Sequence, residues 1–149
     1  MSEKKLKTGL DLASLDTKQA SEQGAEIELR HPVTNDKLGI FISILGQDSK
    51  AFTELKRKRH DTMLRKFQAA KRRGKDTELP GYDESKEQDI ETLVVCTTGW
   101  RDNDKPTITI GGEELPFTTA NATIVYRDFQ WIFDQINEAI TDYANFMKA

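Results

Sequence analysis

Along this chain the apolar positions switch between a two-residue and a three-to-four-residue repeat, and the switches mark out the elements. Ala25-Glu26-Ile27-Glu28-Leu29-Arg30 alternates small or apolar with charged residues, the period of a half-buried strand. After residues 31–37 comes Leu38-Gly39-Ile40-Phe41-Ile42-Ser43-Ile44-Leu45, rich in β-branched residues and stopped by Gly46, so the two runs predict a β-hairpin. Asp48 or Ser49 can then cap a helix over residues 50–73, ended by Arg72-Arg73-Gly74-Lys75. Its apolar positions Phe52, Leu55, Met63, Leu64, Phe67 and Ala70 fall on one side, but Arg59 stands where the middle contact belongs. That gap predicts a long helix only partly held by the core. Residues 76–82, with Pro80-Gly81 inside them, read as a loop and the best hinge in the chain.

Ser85-Lys86-Glu87-Gln88 has capping-box spacing, and Ile90, Leu93, Val94 and Thr97 recur at helical intervals until Gly99. This predicts a second, more buried helix closed by Trp100, with strand as the competing reading for residues 92–98 because of their β-branched content. The sequence from Pro106 to Ile110, then Gly111-Gly112, then Glu113 to Phe117 predicts two short strands around a tight turn, with Pro116 on an edge. Residues 119–126 read as a short helix, and Asp128 as the cap of the last one. Phe129, Ile132, Phe133, Ile136, Ile140, Tyr143 and Met147 then follow in steps of three and four, marking the main core helix. Residues 1–20 carry only Leu6, Leu10, Leu12 and Leu15 as apolar anchors, interrupted by Gly9, and predict a flexible N-terminal arm with one weak docking turn. The expected fold is α+β: small antiparallel β-hairpins packed with about four α-helices, a helical C-terminus, and a single domain over residues 21–149.

Composition narrows the function. With 149 residues the chain suits one core, and 36% hydrophobic against 32% charged residues confines that core to a few concentrated segments. No run approaches the roughly 18 apolar residues of a membrane span, and Met1-Ser2-Glu3-Lys4-Lys5 leads into no apolar signal region, so neither membrane insertion nor export is expected. Cys96 is the only cysteine, which suits a reducing cytoplasm. Net charge is -3, yet residues 50–75 hold 11 Lys and Arg against Glu54 and Asp61, a local +9 that leaves -12 for the remainder. Such asymmetry bears on partners and solubility.

Chemistry finds little purchase. His31, His60 and Cys96 form no ligand set of metal-site spacing, and neither metal nor cofactor is expected. No activated-nucleophile motif occurs, and Cys96 in an apolar run reads as a core residue. The acidic cluster Asp83, Glu84, Glu87, Asp89 and Glu91 reads as a solvated helix start favoured by the helix dipole. Gly111-Gly112 lacks the downstream Lys-Ser/Thr of a phosphate loop. The chain is therefore expected to work by binding other proteins and not as an enzyme. The basic segment could neutralise phosphates, but no aromatics interleave with its cations and no nucleic-acid motif is present. A docking surface for an acidic protein segment is the preferred reading. The uneven charge also permits head-to-tail self-association.

In order and spacing, four stretches resemble the tail assembly chaperones of long-tailed bacteriophages, in the form common in prophages of Gram-negative bacteria. They are Ser21-Glu22-Gln23-Gly24-Ala25-Glu26-Ile27-Glu28-Leu29 leading into His31-Pro32-Val33, the charged helix, Cys96-Thr97-Thr98-Gly99-Trp100, and the ending from Trp131-Ile132 to Asp142-Tyr143-Ala144-Asn145-Phe146. The resemblance covers most of the chain after residue 20 and departs at Tyr143, where the family ending has arginine. It implies a protein of the bacterial host cytoplasm, absent from the mature virion, that binds the tape measure protein and recruits tail tube subunits around it. A partner for a long helical chain needs apolar grooves and charged surface. The expected binding residues are Phe52, Leu55, Lys56, Arg59, Met63 and Arg65; packing into the domain's own core is the competing reading for Phe52, Leu55 and Met63. The alternatives are a structural tail component retained in the virion and a nucleic-acid-binding accessory protein using residues 50–75.

Overall fold

The computed structural model describes residues 9–76 and 78–147. Among them are five α-helices, which we label α1 (Thr17–Gln23), α2 (Lys50–Arg72), α3 (Tyr82–Cys96), α4 (Thr119–Asp128) and α5 (Gln130–Thr141). The strands are β1 (Ala25–Arg30), β2 (Lys37–Ile44), β3 (Thr97–Asp102), β4 (Thr107–Ile110) and β5 (Glu113–Pro116). All pairing is antiparallel, in a sheet of order β1-β2-β3 and a separate β4-β5 hairpin. The fold is α+β, as the hydrophobic periods predict.

The first hairpin pairs Ile27 with Ile42 and Ala25 with Ile44, and a bulge between Glu28 and Arg30 keeps the alternation intact while burying Leu29. His31 sits in its turn, where Nδ1 accepts from the backbone N–H of Val33 and Thr34 at 3.1 and 3.2 Å. In the second hairpin Gly111 and Gly112 have φ of 58° and 84°, the pair of positive values that the tight turn requires. Trp100, in the middle of β3, joins the two sheets: its indole N–H donates to the Leu115 carbonyl at 3.1 Å, and its ring meets Phe117 edge-on at 5.2 Å.

Four expectations need correction. The helix predicted to run to Gly99 stops at Cys96 because Thr97 turns extended and caps it. The Thr97 N–H donates to the Val94 carbonyl, its hydroxyl donates to Leu93 at 2.6 Å, and the Leu45 N–H reaches Cys96 at 2.7 Å. Three of the four carbonyls a helix leaves open at its end are thereby satisfied, and residues 97–102 are released to pair with β2. At its other end α3 begins at Gly81, with Ser85 inside the first turn and Asp83 and Glu84 set against the helix dipole. Asp128 does not cap α5; it closes α4, and Phe129 alone separates the two helices. On α5 the stripe Ile132, Phe133, Ile136, Ala139 and Ile140 is buried, but the helix ends before Tyr143, which is 41% exposed. Phe146, delivered by a 3-10 turn over Tyr143–Asn145, enters the core in its place.

Residues 1–8 of the predicted arm lie outside the described residues. A 3-10 turn over Leu12–Leu15, capped by Asp11, leaves Leu12 and Leu15 exposed. From Thr17 onward the chain is helical and attached: Ala20 and Ser21 on α1 are buried, the Gly46 N–H donates to the Ser21 carbonyl at 3.0 Å, and the Asp48 N–H donates to Ser21 Oγ at 3.3 Å. A Cβ on Gly46 would lie 2.4 Å from Ser21 Oγ, so glycine is what lets α1 close on the turn that leads into α2.

Candidate functional site

Helix α2 starts from firm ground. Ser49 is buried and its hydroxyl accepts from the Phe52 N–H at 3.3 Å, while Glu22 of α1 accepts from the Lys50 N–H. At the far end Lys71 and Arg72 complement the dipole, Gly74 has φ 67°, and the Lys75 N–H returns to the Ala70 carbonyl at 2.9 Å. Between those ends only Ala70 of the helix is buried.

The position that breaks the apolar stripe explains how α2 is held. Arg59 points at α3, where Nη1 donates to Thr92 Oγ1 at 2.6 Å and Nη2 donates to the Gln88 carbonyl at 2.6 Å and to Glu91 at 2.8 Å. Its side chain is only 29% exposed. A cavity of about 230 Å³ beside it is lined by Leu55, Met63 and Gln88. A larger one of about 510 Å³, lined by Met63, Ala70, Leu79, Pro80 and Gln88, lies toward the loop after α2. The two helices thus touch through a polar clasp, with open space beside it and toward the loop after α2, instead of through a filled apolar seam.

Of the six residues expected to face a partner, the structure brings three outward. Lys56, Met63 and Arg65 are exposed. Arg59 is committed to α3; Leu55 lines the smaller cavity; and Phe52 is partly buried against the core, with Lys56 Nζ 5.6 Å above its ring. Met63 and Arg65 do not share a face, since two residues along a helix are about 200° apart. Leu64 and Phe67, which the apolar stripe predicts on the core side, are 46% and 53% exposed. Their signal was available, because with Arg59 turned inward Leu64 lies about 140° round the helix from it.

The charges of residues 50–75 are mostly unengaged. Lys50 approaches Glu54 at 3.9 Å and Arg59 pairs with Glu91, while the other nine cations make no ion pair among the described residues. The acidic cluster on α3 is in part consumed by struts. Glu87 takes two hydrogen bonds from Arg127 of α4, at 3.1 and 2.8 Å, and this pairing lowers its carboxyl pKa. Glu91 holds Arg59. On the outer face of the sheet Glu26 is likewise lowered by its hydrogen bonds with Arg101, whose guanidinium lies 3.9 Å from the centre of the Phe41 ring.

Among the described residues no group of three or more His, Cys, Asp or Glu side chains is placed to hold a metal ion, and no helix is long and apolar enough to cross a membrane. Cys96 is buried, and desolvation pushes its thiol up to about 12. No family model, curated protein or solved structure matches the chain.

Proposed function

We propose that this chain is a tail assembly chaperone of a long-tailed phage or prophage, which binds the tape measure protein through α2 and recruits tail tube subunits during tail assembly. The observation that supports it most is the state of α2: a 23-residue helix bearing seven cations that make no ion pair among the described residues, with Met63, Leu64 and Phe67 exposed among them. Apolar groups mixed with charge along one helix suit recognition of another helix, because the apolar contacts supply affinity and the charges set register and encounter rate. The reading places the protein in the host cytoplasm, absent from the finished particle, and assigns it no reaction.

Co-expression with the tape measure and tail tube proteins of the same gene cluster, followed by pull-down at low and high salt, tests it. A soluble tape measure complex, weakened by Lys56→Glu and Met63→Asp, is the expected outcome. Recovery of nucleic acid with no protein partner would overturn the proposal and favour the accessory-protein alternative, for which the unpaired cations are the specific argument. Detection of the chain in purified particles by mass spectrometry would make it a structural tail component instead.

A further inference from the structure

We propose that one flank of α2, formed by Lys56, His60, Met63, Leu64, Phe67 and Lys71, is a seam for a single acidic amphipathic helix of a partner protein. The inference rests on reading α2 as a protein-docking surface and is independent of the partner's identity. These six positions fall within about 100° of arc around the helix axis and extend along about 22 Å of it. Steps of four and three residues from His60 through Leu64 and Phe67 to Lys71 are the spacing by which helices pack side by side. In the middle are Met63, Leu64 and Phe67, which are 40%, 46% and 53% exposed. At the ends stand Lys56 and Lys71, both exposed and neither ion-paired among the described residues.

That arrangement chooses among occupants. A second copy laid antiparallel on the same flank would set Lys56 against Lys71 and bring two segments of charge +9 together, so like charges oppose it. A nucleic-acid duplex would gain little from three apolar side chains at the centre of the face, while Arg65 and Arg72 point away from it. A helix with leucines over Met63, Leu64 and Phe67 and carboxylates toward Lys56 and Lys71 meets both features. Among the described residues the contact of α2 with α3 is made through Arg59, about 80° round the helix from Phe67 and about 140° from Leu64, with Met63 at the margin between that contact and the seam.

The test uses the full chain and a fluorescently labelled synthetic peptide of about 21 residues, with leucine at heptad a and d positions and glutamate predominating elsewhere. A control peptide of the same composition has its leucines scattered round the helix, and a short DNA duplex is the third probe. Anisotropy titrations should show the patterned peptide binding about tenfold or more tightly than the scattered one. Leu64→Asp and Phe67→Asp should each weaken it about tenfold; circular dichroism confirms that these half-exposed positions tolerate the change. Lys56→Glu and Lys71→Glu should weaken binding and flatten its salt dependence, and Lys58→Glu, exposed on the opposite face, should leave it unchanged. Equal affinity for the two peptides, preference for the duplex, no binding of either peptide, or indifference to Phe67→Asp would overturn the seam. Failure here is distinguishable from failure of the chaperone reading: a tape measure complex insensitive to Leu64→Asp and Phe67→Asp removes the seam alone, whereas peptide binding without tape measure recovery removes the chaperone alone.

Discussion

Replacing Arg59 with methionine keeps the length and apolar stem of the side chain and deletes the guanidinium, so it asks what the clasp between α2 and α3 contributes. Three contacts go: Thr92 Oγ1 and the Gln88 carbonyl, each at 2.6 Å, and Glu91 at 2.8 Å. None leaves a buried group stranded. The Gln88 carbonyl keeps the Thr92 hydroxyl at 2.9 Å, and the Glu91 side chain is 60% exposed and returns to water. Because the Arg59 side chain keeps 29% of its surface exposed, its two hydrogen bonds are taken at about 1–1.5 kcal/mol each and its ion pair at a few tenths; less about 1 kcal/mol for burial of a methionine tip in the adjoining cavity, the loss comes to about 1–2 kcal/mol. For a domain of this size that lowers the melting temperature by about 2–8 °C. Because α2 is otherwise held at its two ends, the loss should be concentrated there: amides in the middle of α2 should exchange with solvent about tenfold faster while those of α3 and α5 change little. Urea unfolding with hydrogen exchange measures both. Unchanged stability and unchanged exchange in α2 would refute the clasp, and equal acceleration across α3 and α5 would refute its local character.

The buried pair of Thr97 and Tyr126 allows a prediction about non-additivity. Thr97 has one hydroxyl proton and gives it to the Leu93 carbonyl, so Tyr126 must donate across their 2.7 Å contact; burial raises the phenol's pKa and keeps it protonated for that task. Tyr126→Phe should cost about 1 kcal/mol and Thr97→Val about 2–3, since the latter strands a buried hydroxyl. The double variant should fall short of their sum by about 1 kcal/mol in urea titrations, and strict additivity would show that the two groups are not coupled. With its thiol buried and its pKa pushed up to about 12, Cys96 should resist an aromatic disulfide reagent near pH 8 in the folded protein and react promptly in urea; rapid labelling of the native chain would contradict its burial.

Much of the fold is legible locally. The alternation from Ala25 to Ile44, the Gly111-Gly112 turn and the stripe on α5 need no distant partner to be recognised, because each is a period plus a terminator. The junction at Thr97 is different. Leu93-Val94-Val95-Cys96-Thr97-Thr98 can serve as helix or strand, and its conformation is decided by groups far along the chain: the Leu45 N–H, the edge of β2 and the Tyr126 hydroxyl. The candidate site divides in the same way. A gap in the apolar stripe at Arg59 is visible in the sequence, but the direction of its guanidinium is set by Gln88, Glu91 and Thr92, 29 to 33 residues later. Once that direction is known, the wheel of α2 turns Phe67 and Leu64 about 80° and about 140° away from the α3 contact and leaves Met63 at its margin.

What frees those side chains is that α2 needs little from the core. Most of its 23 residues are Lys, Arg, Glu, Leu, Met, Gln or Ala, with only Thr53 and Thr62 β-branched, so its intrinsic helix propensity is high. Ser49 and Glu22 satisfy donors at one end, and Lys71, Arg72 and Gly74 complete the other. Phe52 and Ala70 anchor it and Arg59 holds its middle. A helix that depended on its full apolar stripe for folding would have to turn Met63 and Phe67 inward, as α5 turns Ile132 and Ile136. By replacing the central apolar contact with an arginine that makes polar contacts, the sequence leaves Met63, Leu64 and Phe67 exposed, and the surrounding lysines keep that patch solvated.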